Sequence, residues 1–240
     1  MRKLIINADD FGLSEAVNYG ILKGFQEGVV TSATIMANMP AFDHAVALAK
    51  ANPELHVGVH LNVTCYQPLL KTHSTLIEKD GYFRNQRYLD EFDEEEIYQE
   101  MKAQIEKVLD SGLEIDHLDS HHHVHTTRKC KTAIERLLKE YPFPIRGGFV
   151  YPNDALQSDL ILAFYDKGIS VSSFTHIIQG LKEDKVYDLM CHPAYVDKFL
   201  TSVTSYALPR IDELDILCAQ ESKDILEKEQ VELTTYTSLR

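Results

Sequence analysis

Short apolar runs alternate along this chain with longer segments in which apolar residues recur at helical spacing. The first run, 4–8, is apolar and β-branched, and Ser14 then offers an N-cap for a helix ending near Glu27. Further strands are predicted at 29–36, 56–61, 115–119, 144–146, 169–171, 187–191 and 231–236. Further helices are predicted at 41–51, 94–109, 129–140, 159–167 and 209–228.

This repeated order of strand and helix favours a parallel α/β architecture with about seven parallel strands, either a barrel or a doubly wound sheet. No internal repeat, low-complexity run or linker interrupts the pattern, so we interpret residues 1–240 as one domain. In both architectures, ligands bind at the carboxyl ends of the strands. The chemistry of the protein is therefore expected at the positions where predicted strands end.

Regular patterning fades between residues 65 and 90, where an Asp-Gly turn predicts a small hairpin over 76–83. A connection of this length inside one domain is usually functional. Its aromatic rings would either contact the apolar faces of sugars or anchor the segment to the core, and the sequence leaves both open. These rings belong to Tyr66, Tyr82, Phe83 and Tyr88.

Composition narrows the range of partners. The net charge is −13 and no dense run of Lys or Arg is present, so we expect no nucleic-acid partner. The four cysteines are scattered without a CxxC pair, which argues against a disulfide framework and a thiolate zinc site. The first apolar run is too short for a signal peptide, and no run reaches transmembrane length. We expect a cytoplasmic protein that does not associate with membranes.

The candidate functional residues lie directly after the predicted strands. Five of the eleven histidines lie within residues 117–125, and imidazole is the commonest metal ligand in proteins. A structural or capping role would explain each polar residue taken singly, but their shared position at strand ends favours an active site. Besides the histidine segment, the polar residues at these ends are Asp9, Asp10, His60, Arg146 and His192.

Carboxylates combined with imidazoles, without thiolates, suit a divalent metal ion that keeps one position open for water. If the chain turns helical after Asp119, His121 and His125 share a face. If it stays extended, His121, His123 and His125 share one. Spacing alone leaves both arrangements open, and the imidazoles that do not ligate would orient those that do.

Four motifs resemble those of the YdjC/ChbG family of carbohydrate deacetylases, which is related to the NodB-type polysaccharide deacetylases. They are Asn-Ala-Asp-Asp-Phe-Gly at 7–12, Gly-Val-His-Leu-Asn-Val-Thr at 58–64, the histidine segment at 117–125, and Cys-His-Pro at 191–193. The resemblance implies a single-domain (β/α) barrel-like fold. It also implies metal-dependent removal of acetyl groups from N-acetylated chito-oligosaccharides, within chitin or polysaccharide degradation.

The resemblance further implies a metal-binding set. Asp10, His60 and His121 would hold one divalent ion, Mg²⁺ first and Zn²⁺ as the alternative, and His125 competes with His121 for the third position. The expected partner is an acetylated oligosaccharide, and a homodimer is an expectation at the level of the family.

The remaining motif residues would carry the proton transfers. Asp9 would be the general base, Arg146 would orient it, and His192 would be the general acid that protonates the leaving amine. Adjacent carboxylates in extended backbone point in opposite directions, so one can ligate a metal while the other stays free.

Two other classes of function remain open at this point. A metal-dependent phosphoesterase or a sugar isomerase would fit a similar barrel, although Gly147-Gly148 is a weak candidate for a phosphate cradle. A non-catalytic sugar-binding protein would need neither an acid nor a base, and candidates for both are present.

Overall fold

The structure, a computed structural model, describes all 240 residues and contains one parallel sheet of seven strands. The spatial order is β4-β3-β2-β1-β6-β5, and β7 pairs with the first residues of β1. All these pairings are parallel. The strands are β1 Arg2–Phe11, β2 Ser32–Ile35, β3 His56–Leu61, β4 Ile115–Ser120, β5 Asp159–Ile161, β6 Val186–Cys191 and β7 Val231–Leu233.

Ile145 links the two outer strands of this sheet. It forms one parallel bridge with Leu118 of β4 and another with Gln157, just before β5. The predicted strand at 144–146 is therefore reduced to one bridged residue, but that residue stands where a strand would complete the ring. The predicted barrel-like α/β fold with about seven parallel strands is confirmed.

Eight α-helices follow the strands, and each of them buries part of its surface. Ser14 caps the first of them as predicted, because its side chain accepts a hydrogen bond from the backbone N–H of Val17. None of the helices is both long and apolar enough to cross a membrane. The helices are α1 Glu15–Gln26, α2 Phe42–Ala51, α3 Glu94–Asp110, α4 Lys131–Glu140, α5 Val171–Gly180, α6 Lys198–Val203, α7 Pro209–Cys218 and α8 Gln220–Lys228.

Two predictions between residues 159 and 171 are wrong. The predicted helix at 159–167 is instead β5 followed by a 3₁₀ turn, because residues 159–161 pair with β6 and this pairing overrides the local preference. The predicted strand at 169–171 contains the beginning of α5. Ser170 is the N-cap there and accepts a hydrogen bond from the N–H of Ser173.

The carboxyl-terminal third also departs from the prediction in its helices. The segment 209–228 is largely helical as predicted, but the extended backbone of Ala219 separates α7 from α8. Helix α6 was not predicted at all. It begins after Asp197, whose side chain caps it by accepting a hydrogen bond from Leu200 N.

Two glutamates of α3 hold the long segment between β3 and α3 in place. Glu96 accepts hydrogen bonds from the backbone and hydroxyl groups of Ser74 and Thr75, at 2.7 to 2.8 Å. One turn later, the buried Glu100 accepts from the backbone N–H of Leu69 at 2.9 Å. The predicted hairpin at 76–83 contains a single antiparallel bridge between its ends.

Candidate active site

Four strands bring the predicted residues to one end of the sheet. Asp9 and Asp10 lie in the last part of β1, His60 near the end of β3, His121 directly after β4 and His192 directly after β6. These five side chains line a single cavity of about 340 Å³. Their position follows from the parallel topology, since the carboxyl ends of neighbouring parallel strands meet at the same edge.

Asp10, His60 and His121 form one cluster of possible metal ligands, with one ligand atom of each within 4.8 Å of the others. Oδ1 of Asp10 lies 3.0 Å from Nδ1 of His121 and 3.4 Å from Nε2 of His60. Asp10 has a left-handed backbone, with φ of 72°, a costly conformation for a residue with a side chain and one that concentrates at functional sites.

The same cluster stabilises positive charge at its centre. Burial by itself would lower the pKa of His60, but the charge of Asp119 and hydrogen bonds with Asp10 and Asp119 raise it to about 10. At His121, burial would again lower the pKa, but the charge of Asp10 raises it to about 9. These two imidazoles hold protons firmly. A divalent cation could replace those protons, because the two imidazoles and the carboxylate of Asp10 form a suitable donor set.

Asp119 orients His60 from behind. Its Oδ1 accepts a hydrogen bond from Nδ1 of His60 at 2.7 Å, so Nε2 is the ring nitrogen that faces Asp10. Its Oδ2 accepts from the hydroxyl of Thr34 at 3.0 Å and lies 2.9 Å from Nη1 of Arg146. A carboxylate behind an imidazole is the usual way in which metal sites fix the tautomer and direction of a histidine.

Arg146 is completely buried and pairs with Asp9 through two hydrogen bonds of 2.7 Å. Burial would raise the pKa of Asp9, but the Arg146 guanidinium more than offsets this and holds the pKa below its usual range. Asp9 also lies close to His60 and Asp119. In that second group, however, both carboxylates already pair with the Arg146 guanidinium. Arg210 binds only Oδ2 of Asp10, so Oδ1 faces the two imidazoles and makes the Asp10 cluster the better cation site.

His192 lies against Glu213 of α7. Its backbone N–H donates to Oε2 of Glu213, and its Nδ1 is 3.8 Å from Oε1. The hydroxyl of Tyr206 donates to the same Oε1 at 2.5 Å. Glu213 is fully buried and does not line the cavity, whereas His192 does.

Arg210 of α7 reaches the centre of the site. Its Nη2 donates to Oδ2 of Asp10 at 2.7 Å, and its Nε donates to the backbone carbonyl of Tyr206 at 2.6 Å. Sequence reasoning missed Arg210 and Glu213. Both belong to the buried stripe of α7 that continues with Leu214 and Leu217, and charged residues at core positions of a helix are the signal that would have found them.

The histidine segment begins within β4 and continues into a 3₁₀ stretch, His121–Thr126. This stretch is interrupted at His122 and His123, which have left-handed backbones with φ of 54° and 52°. Only His121 of this segment joins the Asp10 cluster. His125 is fully buried and lies apart from that cluster. Its Nδ1 bonds to the Ser120 hydroxyl at 2.6 Å and its Nε2 to the Arg146 carbonyl at 3.0 Å.

Burial lowers the pKa of three of these imidazoles, to about 3 for His122 and His125 and to about 4 for His123. They are therefore neutral at physiological pH, in contrast to His121. His122 and His123 line the cavity together with His121. Neutral imidazoles at these positions can donate or accept hydrogen bonds without adding charge.

Comparisons with known proteins give a consistent picture. The family described as YdjC-like protein matches residues 3–228. A carbohydrate deacetylase of Brevibacillus brevis is 39% identical over 246 residues, covering 99% of both chains. A carbohydrate deacetylase of Halalkalibacterium halodurans is 42% identical over 224 residues, covering 90% of this chain and 94% of its own.

Solved structures agree in fold. A protein of Enterococcus faecalis V583, provisionally named a cellobiose-phosphate cleavage protein, is 36% identical with a TM-score of 0.93, covering 99% of this chain and 98% of its own. A family 4 carbohydrate esterase of Streptomyces lividans, in complex with acetate, has a TM-score of 0.54 at 9% identity, covering 98% of this chain and 92% of its own. The second likeness concerns the fold alone.

Proposed function

The chain belongs to the YdjC-like family, and on this premise we propose that it is a metal-dependent carbohydrate deacetylase. Its substrates would be short N-acetylated sugars of the chito-oligosaccharide type. The observation that carries the proposal is the Asp10, His60 and His121 cluster in the same cavity as the ionised Asp9. Full-length relatives named carbohydrate deacetylases support the same reaction class.

We assign Asp10, His60 and His121 as the residues that would hold one divalent cation. The donor set fits, because Asp119 leaves Nε2 of His60 directed at Asp10 and because the cluster already binds protons tightly. When bound, such a cation would lower the pKa of a water molecule and polarise the acetyl carbonyl. Two imidazoles to one carboxylate are more typical of Zn²⁺ than of the Mg²⁺ that the resemblance implies.

Asp9 would act as the general base. Arg146 holds its carboxylate in place and keeps it ionised, so that it can take a proton from the attacking water. Because Asp9 and Asp10 have different partners, one carboxylate is available for the proton while the other belongs to the cation cluster.

His192 would act as the general acid. Oε1 of Glu213 lies 3.8 Å from Nδ1 of His192, and the His192 ring itself lines the cavity. An amine leaves poorly until it is protonated, so a protonated imidazole at this wall of the cavity meets the chemical need of amide hydrolysis.

The competing phosphoesterase reaction lacks a cradle for phosphate. Gly147 is needed for close packing, since a Cβ there would lie 2.1 Å from the carbonyl oxygen of Ser158. Gly148 has a left-handed backbone with φ of 95°, and a Cβ there would lie 2.9 Å from the Leu160 side chain. Both glycines therefore have structural roles, close backbone packing at Gly147 and a left-handed turn at Gly148.

Acetate release from N,N′-diacetylchitobiose tests the proposal. We expect EDTA-treated protein to lose activity and to regain it when Zn²⁺ or Mg²⁺ is added, and the more effective ion identifies the metal. Asp9→Asn should bind the metal normally and lose turnover. Undiminished release by the chelated protein would refute metal dependence, and phosphate release from phosphorylated sugars without acetate release would replace the proposed reaction. The cytoplasmic location and the homodimer stay predictions.

A further inference from the structure

We propose that Tyr165 is a specificity-determining residue, which stacks on a second sugar ring and makes the site select oligosaccharides over single acetylated sugars. The inference rests on the proposed deacetylase function and adds to it the residue that recognises the length of the substrate.

Tyr165 and Tyr206 are the only phenol or phenyl rings that line the catalytic cavity. The two rings are stacked, with centroids 4.1 Å apart and planes inclined by 18°. Tyr206 covers one face of Tyr165, and Tyr165 remains 42% exposed. A flat, rigid apolar face at the rim of a polar cavity is the surface on which the C–H face of a sugar packs.

The aromatic residues that the sequence offered for this contact lie elsewhere. Tyr66 packs edge-on against Tyr82 and Phe199, at 5.6 and 5.9 Å between centroids, and Phe83 is buried. None of the four rings of the segment at 65–90 lines the catalytic cavity, to which this segment contributes only Gln86. Those rings anchor the segment, so Tyr165 is the ring in position to contact a sugar.

A hydrogen bond holds the backbone next to this ring in position before any substrate arrives. The hydroxyl of Tyr206 accepts the backbone N–H of Asp166 at 3.1 Å, which holds the turn directly after Tyr165. The same hydroxyl donates to Glu213, the partner of His192. Tyr165 also lies edge-on to His192, with centroids 5.7 Å apart, so a ring resting on Tyr165 would adjoin the sugar whose amine His192 protonates.

Kinetics on two substrates test the inference. For Tyr165→Ala, we expect KM for N,N′-diacetylchitobiose to rise about three- to tenfold more than KM for N-acetylglucosamine, which is the scale of one aromatic stacking contact. Tyr165→Phe keeps the ring and should restore the wild-type ratio. Tyr82→Ala is the matched control, because Tyr82 is 41% exposed and outside the cavity. Equal losses on both substrates, or the same shift in Tyr82→Ala, would overturn the inference.

A binding measurement separates this inference from the reaction itself. The chain contains no tryptophan, so Tyr165→Trp in an Asp9→Asn background carries the only indole. Its emission should change saturably with the disaccharide and far less with the monosaccharide. No change at disaccharide concentrations that saturate the wild-type enzyme would refute the contact. Absence of acetate release from both sugars by the wild type would instead refute the deacetylase function.

Discussion

Asp119→Asn tests whether the carboxylate behind His60 sets the affinity of the cluster for metal. In the structure this carboxylate accepts a hydrogen bond from Nδ1 of His60 at 2.7 Å. If the new amide turns its NH₂ group to His60, Nδ1 can no longer donate, and the ring proton moves to Nε2, the nitrogen that faces Asp10. If the NH₂ group turns to Arg146 instead, two donors oppose each other. Either orientation harms the site.

The expected loss of metal affinity can be estimated. Removing the hydrogen-bonding partner of a ligating histidine typically weakens metal binding about 10- to 100-fold, or about 1.4 to 2.8 kcal/mol. Folding stability should fall as well, because Arg146 loses one of its three carboxylate partners. Breaking a buried ion pair outright costs about 3 to 5 kcal/mol, and Asp9 and Asp188 still partner Arg146, so we expect a smaller loss.

Calorimetric titration of metal-free protein with Zn²⁺ measures the first effect, and thermal unfolding without metal measures the second. Thr34→Val is the matched control, because it keeps the Asp119 carboxylate and removes only a neutral hydroxyl, which lies 3.0 Å from Oδ2 of Asp119 and 3.1 Å from both Nδ1 of His60 and Nδ2 of Asn7. Its Zn²⁺ affinity should stay within a few-fold of the wild type. A folded Asp119→Asn protein that binds Zn²⁺ as tightly as the wild type would refute the role assigned to Asp119.

Three further changes probe other parts of the molecule. His121→Ala should abolish Zn²⁺ binding, whereas His125→Ala should mainly lower the melting temperature, since both of its ring nitrogens bond to the protein. Calorimetry and thermal unfolding separate the two, and an equal loss of affinity would place His125 at the metal. Glu213→Gln should lower kcat about 10- to 100-fold at unchanged Zn²⁺ affinity by removing the charge beside His192, and unchanged kcat would contradict that role. Burial would raise the pKa of Glu96, but hydrogen bonds lower it from 4.5 to about 2, so its stabilising contribution is complete above 4.5 and lost as pH falls towards 2. Melting temperatures of Glu96→Gln should therefore fall less steeply than those of the wild type between about pH 5 and about pH 2.

The fold was predictable wherever one local signal dominated. Three local signals each specify an element without help from the rest of the chain. They are the apolar run at 4–8, the cap at Ser14 and the alternating pattern of 56–61. The region 159–171 gave no such signal. Its apolar run suits a strand or a helix equally, and pairing with β6 decides between them, which the sequence does not reveal.

The site was predictable where its residues follow strands, because parallel topology turns distant strand ends into neighbours. Spacing left His121 and His125 as alternatives, because it does not encode the left-handed backbones of His122 and His123 between them. Arg210 and Glu213 were missed for another reason. They approach the site from α7, so the strand-end rule does not apply to them.

Arg146 lies between the residue that closes the barrel and the carboxylates of the candidate active site. It directly follows Ile145, the bridged residue between β4 and β5, and its guanidinium pairs with carboxylates from β1, β4 and β6. Such a buried ionic network is weak evidence for a role in folding stability, because replacing it with well-packed apolar side chains is often neutral or stabilising. Its position is better explained by what it does to Asp9, which lies beside the proposed metal ligands, is shielded from solvent and still stays ionised. The buried charge of Arg146 is therefore the condition under which a carboxylate at this depth can serve as a base.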